Sequence, residues 1–560
     1  MTSGLQPLKV GLLLDDWVVP SWIASIVSGI CVSDAAEIVA TICPSNNKSQ
    51  RTHFFQQNHG RSSLSRLGRL YLGLDELVSN PVPNALESID LTSKLEKYPL
   101  IRIEAIFEGA YFRFSEPDTA CLRKLDCDVL LLFCDGLPAN QTLSLARYGV
   151  WSFLDHELLV TSRVPTGFWE VLEHRTVMNQ SLHAYLPGSE RSLILQEYAG
   201  LIDRRSIKRA RNNFLWKSAS FVDRKLQALH RARSLGKISR PRQDSDYSPP
   251  EQVGSNFLIA KNVLCHASRC VKDLFVYCRY VAQWSIGYKF GPSNRVIDDD
   301  LAEFRWLVPP KDRIWADPFP VKYDGQYFLF FEECLFGNKE KGHISVAPIG
   351  QNGFSQKPTI ILKCEHHLSY PFILFWEGEW YLIPESEEAN RIDVYKFDPF
   401  PYRVKFHTTI MDNVRAVDTT ICEMDGQWWM FTGIAPNGTY NVDELFLFYS
   451  NHPFGPWVPH PQNPVKSDVR SARSAGNIFS WHGKYHRPAQ DCSKGYGYGI
   501  RLHEIDVLNR EKFVEREVGT ILPHSSDDFI GVHTFNRADD LTVIDAKKWC
   551  RRTRSATPSP

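Results

Sequence analysis

The stretch DGQYFLF at residues 324–330 decides the fold of the second half of this chain, because it recurs as EGEWYLI at 377–383 and as DGQWWMF at 425–431. Each copy places an acidic residue and a glycine before an aromatic-rich run, which is typical of a tight β-hairpin turn. Weaker copies begin at His482 and Asp539. The turn positions 325, 378, 426, 483 and 540 are 48 to 57 residues apart. A repeat of about fifty residues with several short strands predicts an all-β five-bladed propeller, with a β-sandwich as the alternative.

The composition indicates a globular, multidomain protein. Its 560 residues are 43% hydrophobic and carry 64 basic and 64 acidic side chains, so net charge does not draw the chain to nucleic acid. The sequence has no apolar run long enough for a transmembrane helix, and its start lacks the pattern of a secretory signal. The 13 cysteines include no CxxC pair, which favours free thiols in a reducing compartment over a disulfide scaffold or a zinc site. We therefore expect a cytoplasmic protein without a metal site or a nucleic-acid partner.

Changes in composition along the chain predict its domain organisation. Residues 1–203 alternate apolar strand-like runs with helical patterns, which indicates an α/β domain with a parallel sheet and crossover helices. Residues 204–297 are predicted to form a basic helical linker region, residues 298–550 the propeller, and residues 551–560 a disordered tail.

The basic stretch at residues 204–242 is predicted to be a solvated helix that leads into a flexible linker. The alternative is peripheral contact of this basic helix with anionic lipid or phosphate groups. The mixed apolar and basic stretch at residues 256–284 favours packing in a core or between domains over a helix on a membrane surface.

Antiparallel pairing about each hairpin turn predicts which side chains meet at its open end. In the first unit Asp317 falls opposite Glu332 or Glu333, and in the second Tyr370 falls beside Glu385. The other three units bring to the same end Asp418, Ser474, Asp491 and His533. Five hairpins therefore gather ionisable groups at one end of one axis, which is where a propeller keeps its ligand site.

This cluster suits chemistry at a glycosidic centre, which needs one carboxyl kept protonated and another ionised. The catalytic candidates are Asp317, Asp418, Asp491 and Glu332. The candidates for substrate binding are Trp315, Glu333, Tyr370, Glu385, Arg473, Arg487, Gln490 and His533. Among these, the aromatic side chains suit the faces of sugars and the arginines suit an anionic group. Tyr496 is a further aromatic candidate for a sugar face. The alternative is structural: the acids cap hairpins or pair with arginines to close the central channel.

The motifs WADPF (315–319), SYPF (369–372), RPAQDCS (487–493) and GVHTFN (531–536) carry a family resemblance. The region resembles the N-terminal propeller domain of plant-type glucosamine inositolphosphorylceramide transferases, within the superfamily of arabinanase-like glycoside hydrolases. In those hydrolases a blade-one Asp is the base, a blade-three Asp tunes a pKa, and a blade-four Glu is the acid. The resemblance implies the first two roles for Asp317 and Asp418. Blade four has no Glu counterpart, and its nearest candidate is Asp491.

The N-terminal region resembles the formyltransferase domain of methionyl-tRNA and sugar-nucleotide N-formyltransferases. The resemblance rests on the strand DVLLLF (128–133) and the segments ARYGVWSF (146–153) and TGFWEVL (166–172). It implies a Rossmann-like α/β formyltransferase fold. The cofactor stays unknown, and 10-formyltetrahydrofolate is implied only if this domain is active.

Aligned on GVWSF, the formyltransferase motif is degenerate here. Ser152 stands at the family's Asn, Leu154 at its His and Glu190 at its Asp, and His156 follows two residues after Leu154. A leucine cannot exchange a proton or polarise a carbonyl.

These observations predict a carbohydrate-active protein whose propeller binds the sugar. The expected role is glycosyl transfer or glycoside processing in making a bacterial surface glycan or glycolipid. One alternative is a folate-dependent N-formyltransferase of an amino sugar. The other is a glycan-binding scaffold without catalysis.

Overall fold

The structure of the chain is a computed structural model with two compact units, Met1–Arg269 and Cys270–Pro560. The residues that it describes are 5–45, 66–108, 111–134, 136–153, 166–189, 191–241, 256–292, 295–337, 341–435, 441–523 and 528–552.

Among the described residues the first unit has thirteen strands, of which eight form one large sheet. Its strands are β1 (Leu8–Leu13), β2 (Val18–Pro20), β3 (Ala36–Ser45), β4 (Ser88–Asp90), β5 (Leu100–Glu104), β6 (Ile106–Glu108), β7 (Tyr111–Arg113), β8 (Val129–Leu132), β9 (Leu137–Pro138), β10 (Val150–Ser152), β11 (Val177–Tyr185), β12 (Leu193–Leu201) and β13 (Arg240–Pro241). The large sheet has the order β13-β12-β11-β10-β8-β1-β3-β5. Strands β10, β8, β1, β3 and β5 pair in parallel, and β10 to β13 pair antiparallel. The alternation of apolar runs with helical patterns predicted a parallel sheet, and five of the eight strands are paired in parallel.

The α-helices of the described residues lie between Ser21 and Arg279. They are α1 (Ser21–Cys31), α2 (Arg66–Val78), α3 (Thr92–Leu95), α4 (Glu116–Arg123), α5 (Asn140–Leu143), α6 (Phe168–Leu172), α7 (Ile207–Ala232) and α8 (Asn256–Arg279). Among the residues described, no helix is long and apolar enough to cross a bilayer.

Helix α7, predicted to be a solvated linker helix, is instead part of the first unit's core. It buries Phe214, Phe221 and Leu226 in the cluster that also holds α1, and it packs against α1 directly. Even Lys217 is buried, with Nζ 5.8 Å from the centre of the Tyr198 ring. The apolar residues on one side of the basic stretch therefore outweigh its charges, and the prediction of a solvated helix was wrong.

The second unit is built of strands. They are β14 (Tyr280–Phe290), β15 (Arg305–Leu307), β16 (Arg313–Tyr323), β17 (Gln326–Leu335), β18 (His343–Gly350), β19 (Gly353–Phe354), β20 (Thr359–Leu362), β21 (Ser369–Trp376), β22 (Glu379–Glu385), β23 (Arg391–Phe397), β24 (Val404–Asp412), β25 (Ala416–Met424), β26 (Gln427–Ile434), β27 (Leu445–Ser450), β28 (Val458–Pro459), β29 (Phe479–Trp481), β30 (Lys484–Asp491), β31 (Gly499–Leu508), β32 (Phe513–Ile521), β33 (Phe529–Ala538) and β34 (Leu541–Arg551).

These strands form five sheets in chain order. Four sheets consist of consecutive strands, β16 to β20, β21 to β24, β25 to β28 and β29 to β32. The fifth has the order β15-β14-β34-β33, so it joins the first strands of the unit to the last. Successive inner strands contact each other, β33 with β16, β16 with β21 and β21 with β25. This is the arrangement of a five-bladed propeller whose ring is closed by pairing of its two ends.

The start of the propeller corrects one predicted boundary. Strand β14 pairs with β34 from Tyr280 to Phe290, inside the region predicted to be linker. The propeller therefore begins at Tyr280 and not at residue 298. Of the predicted tail, residues 553–560 lie outside the described residues.

The repeated hairpin turns have the geometry that their sequence requires. In the first copy Asp324 has φ 48° and Gly325 has φ 76°, and Tyr323 pairs with Gln326 across the turn. Positive φ at both central residues is the type I′ turn, which matches the right-handed twist of the flanking strands. The other four turns likewise connect directly paired strands.

Candidate active site

In each of three blades, a β-bulge turns one side chain toward the centre of the propeller. The inner strand of each has a break in pairing register, and the residue at the break adopts a left-handed conformation. These residues are Asp317, Tyr370 and Asp418, with φ of 50°, 43° and 47°. Such a conformation is costly for a residue other than glycine and persists only where its surroundings hold it. The bulges therefore aim these three side chains at one another instead of leaving them on a blade face.

Asp317 is held by the two blades on either side of its own. Its Oδ2 accepts a hydrogen bond of 3.1 Å from the backbone N–H of Tyr370, and its Oδ1 accepts one of 2.7 Å from the hydroxyl of Thr534. Its own backbone N–H donates to Oδ2 of Asp545 at 2.8 Å. Burial raises the pKa of Asp317 to about 7, opposed by His533 and reinforced by nearby carboxyl groups.

Asp418 is paired with a buried arginine. The Arg473 Nε lies 2.6 Å from Oδ2 of Asp418, and the amide nitrogen of Gln490 donates to the same oxygen at 2.9 Å. Asp418 lies close enough to Asp317 for its negative charge to raise the pKa of Asp317. The two aspartates thus line one central region.

Glu385 completes the acidic cluster. Its Oε2 accepts hydrogen bonds of 3.2 Å from the Arg473 guanidinium and from the backbone N–H of Asp418. Burial raises the pKa of Glu385 well above its usual range, and the negative charge of Asp418 adds to this effect while Arg473 opposes it. The site therefore places a carboxyl whose pKa is raised beside a second carboxyl that is paired with a cation, an arrangement that suits acid–base chemistry.

Aromatic rings stand beside these carboxyls. The Trp284 ring stacks on His533 with the ring centres 4.0 Å apart, and Tyr496 meets His533 edge-on. Tyr496 is 42% exposed and lies against the Arg473 guanidinium, 4.9 Å from the ring centre, so part of this residue reaches solvent beside the site. Burial lowers the pKa of the Lys547 amine, 4.9 Å from the Trp284 ring, to about 8.

Sequence reasoning missed Trp284, Asp545 and Lys547. Trp284 lay in a stretch predicted to be helical, and only the pairing of β14 with β34 brings it to the fifth blade. Asp545 accepts from Nδ1 of His533 at 2.7 Å, and His533 Nε2 lies 3.5 Å from Asp317. The short apolar run around Asp545 was the available signal, since a lone acid in a buried strand needs a partner.

Four residues that were predicted to bind substrate or to act in catalysis contact other partners instead of the central cluster. Glu333 bonds Arg313 and Ser345, Asp491 pairs with Arg501, Arg487 pairs with Glu515, and Trp315 packs with Phe331 and Phe354. Successive side chains of a strand face opposite sides, so a shift of one residue exchanges site and packing positions. Glu332, adjacent to Glu333, does lie at the site, with its Oε1 3.2 Å from Nε2 of His367. Gln490, adjacent to Asp491, contacts Asp418.

Two groups of side chains bring metal-binding atoms together among the described residues, Glu332 with Cys334 and His367, and Asp317 with His533 and Asp545. In the first group the backbone N–H of Gly342 donates to Nδ1 of His367 at 3.1 Å. A neutral His367 then carries its proton on Nε2, the atom that faces Glu332. This arrangement favours a hydrogen-bonded pair over a metal ligand.

Of the four formyltransferase-like positions, the structure describes only Ser152. Ser152 is buried and paired with His183 across β10 and β11. Leu154, His156 and Glu190 lie outside the described residues.

The raised pKa of Asp317 predicts a pH dependence of folding stability. An unfolded Asp titrates near 3.8, so between about pH 4 and about pH 7 the folded state binds the extra proton. Ionisation of Asp317 therefore lowers stability as the pH rises through this window. We expect Asp317→Asn to gain about 2–3 kcal/mol relative to the wild type between about pH 5 and about pH 8, measured by urea unfolding. A difference that stays constant with pH would contradict this assignment.

Comparison with known proteins identifies relatives of part of the chain. Residues 310–547 match the family described as glucosamine inositolphosphorylceramide transferase 1, N-terminal. The transferase of that name from Oryza sativa subsp. japonica is 34% identical over 204 residues, which is 36% of this chain and 27% of the relative. The Arabidopsis thaliana protein is 35% identical over 210 residues, with the same coverage. The chain thus spans about a quarter of the length of these curated relatives.

Solved structures similar to this chain include glycoside hydrolases. Zg3597, a family 117 glycoside hydrolase from Zobellia galactanivorans, has a TM-score of 0.31 at 13% identity, covering 48% of this chain and 89% of its own. The α-L-arabinanase of Cellvibrio cellulosa has a TM-score of 0.28 at 12% identity, covering 36% of this chain and 77% of its own. The five-bladed architecture follows from the strand pairing and not from these scores.

The two predicted resemblances fare differently. Residues 1–309 lie outside the family match, and the formyltransferase resemblance of the N-terminal region is not supported. The Rossmann-like formyltransferase fold predicted for this region is likewise not supported. The C-terminal region, in contrast, is similar to the N-terminal part of the glucosamine inositolphosphorylceramide transferases, as the motifs WADPF and RPAQDCS had indicated.

Proposed function

We propose that the propeller binds a carbohydrate at its centre and acts on a glycosidic bond. The observation that carries this proposal is the pair of carboxyls with raised pKa, Asp317 and Glu385, beside the Asp418–Arg473 ion pair. Burial raises the pKa of both carboxyls, opposed by Arg473 at Glu385 and by His533 at Asp317. With its pKa raised to about 7, Asp317 can gain or lose a proton near neutral pH.

We assign one proton-transfer role to each of these two carboxyls. Glu385 donates its proton to the leaving glycosidic oxygen as the bond from the anomeric carbon breaks. Asp317 takes the proton of the water or acceptor hydroxyl whose oxygen forms the new bond to that carbon. With water the reaction is hydrolysis, and with a sugar hydroxyl it is glycosyl transfer. Asp418 acts through its neighbours, because it raises the pKa of Glu385 and fixes Arg473.

The substrate class is proposed from the exposed part of Tyr496 and from the relatives. The exposed ring of Tyr496 offers an apolar surface for a sugar face, with the Arg473 charge directly against it. The relatives' name contains both an amino sugar, glucosamine, and a lipid, inositolphosphorylceramide. We propose a glycolipid or a bacterial surface glycan as the substrate. Formyl transfer by the first unit has no structural observation in its favour and is not proposed.

The experiment is a screen of the full chain for binding and turnover of activated furanosides, pyranosides and nucleotide sugars. We expect Asp317→Asn and Glu385→Gln each to lower kcat/KM at least about 100-fold, since each removes one proton-transfer group. Asp506→Asn is the matched control, because Asp506 is an exposed propeller carboxyl paired with Arg516. Full turnover in Asp317→Asn and Glu385→Gln would reject the site. Saturable sugar binding without turnover, lost in these variants, would reject catalysis and favour a glycan-binding scaffold.

A further inference from the structure

Helix α8 leaves an apolar stripe in solvent. Phe257, Leu264, Val271 and Phe275 are 78%, 70%, 68% and 54% exposed. The first three are seven residues apart, and Phe275 lies eighteen residues, or five full turns, after Phe257, so all four fall on one face of the helix. This exposure is the reverse of the packing predicted for residues 256–284.

The opposite face of α8 anchors the helix. Ile259 is buried in the core cluster of the first unit, and His266 is also buried. The His266 ring meets the Tyr71 ring of α2 with the ring centres 6.0 Å apart. The first half of α8 is thus fixed beside α2, and its apolar outer face is not the result of a detached helix.

Helix α2 also exposes apolar side chains. Its residues Leu70, Leu74 and Leu77 are all exposed, and they follow one another at intervals of four and three along one face. Exposed apolar side chains that share one face of a helix, as on α2 and on α8, mark interaction surfaces.

The charges on α8 indicate the kind of partner. Lys261, Lys272 and Arg279 are exposed and form a row directly beside the apolar stripe. The one acidic residue of the helix, Asp273, lies seven residues after His266 and hence on the anchored side. The outer face of α8 therefore combines large apolar side chains with cations and carries no acid.

We propose that the outer face of α8 docks on an anionic lipid surface. Apolar side chains enter the boundary between headgroups and acyl chains, while the lysines and arginine meet the lipid phosphates, as in interfacial amphipathic helices. A second copy of the chain fits less well, because pairing α8 with itself would bring its rows of cations together without an acid on that face to balance them.

The test is flotation of the full chain with vesicles of phosphatidylcholine, with and without phosphatidylglycerol. We expect binding that needs phosphatidylglycerol and weakens with salt. Leu264→Glu and Phe275→Glu should each reduce partitioning about tenfold or more, and Lys261→Glu with Lys272→Glu by roughly fivefold per cation. Phe406→Glu is the matched control, because Phe406 is an aromatic side chain on β24 with 59% exposure.

Several outcomes would overturn the proposal. These are no binding to anionic vesicles, binding that Phe275→Glu and the double charge reversal leave unchanged, or equal loss in Phe406→Glu. Sedimentation of the free protein supplies another: a dimer abolished by Phe275→Glu would assign the surface to self-association. The propeller's carboxyl variants are expected to bind vesicles normally, so failure of the lipid proposal is distinct from failure of the proposed glycosidic chemistry.

Discussion

Replacing Arg473 with methionine is expected to lower the free energy of unfolding by about 3–5 kcal/mol. The Arg473 side chain is buried and donates to Asp418 and Glu385, and it also bonds the side chain of Asn441. Without the guanidinium the largely buried carboxyls of Asp418 and Glu385 face each other with no cation between them. Urea unfolding of the purified full chain, followed by tryptophan fluorescence, measures the loss.

Two further variants separate charge from packing. Arg295→Met removes an exposed ion pair with Asp299 and should cost less than about 1 kcal/mol. Combining Arg473→Met with Asp418→Asn should recover part of the loss, because the amide needs no counter-charge. An Arg473→Met protein as stable as the Arg295→Met protein would show that the arginine does not hold the acidic cluster together.

The strands of the propeller were predictable because their turns are local. A type I′ turn needs only two residues with positive φ, so DGQYFLF and its copies mark each hairpin within a few positions. The register of the inner strands was accessible for the same reason, and it placed Asp317, Tyr370 and Asp418 at the ends that meet.

The facing of individual side chains was not predictable from the repeat. A bulge adds a residue to one strand, and beyond it an extrapolated register assigns the wrong side. Both members of each neighbouring pair, Glu332 with Glu333 and Gln490 with Asp491, were predicted to lie at the site, whereas only Glu332 and Gln490 face it. Trp284 lies far from the other site residues in sequence, and no local pattern links it to His533.

Helices α7 and α8 show the same limit for charge patterns. Both are rich in lysine and arginine, yet α7 is buried along one side while α8 is largely exposed. Long basic side chains can reach solvent from a partly buried helix, so their number does not reveal how much of the helix is covered. Burial is decided by the partners that the fold brings, which for α7 are α1 and the large sheet.

The second large effect is expected at Asp545. Its carboxylate accepts from the backbone N–H groups of Asp317, His533 and Thr534, at 2.8, 3.1 and 2.9 Å, and from Nδ1 of His533. Asp545→Ala leaves these buried donors without an acceptor, at roughly 1–3 kcal/mol for each one that water does not reach. We expect a loss of at least about 3 kcal/mol in urea unfolding and faster hydrogen exchange at the three amides.

Asp545→Asn should fall between the alanine variant and the wild type, because one oxygen still accepts while the amide nitrogen opposes a donor. Asp506→Ala, at an exposed acid in the same unit, should change the free energy of unfolding by less than about 1 kcal/mol. If Asp545→Ala matched this control in both unfolding and exchange, the carboxylate would not be what holds the bulges of the first and fifth blades in place. The positions of Asp317 and His533 at the site would then need another cause.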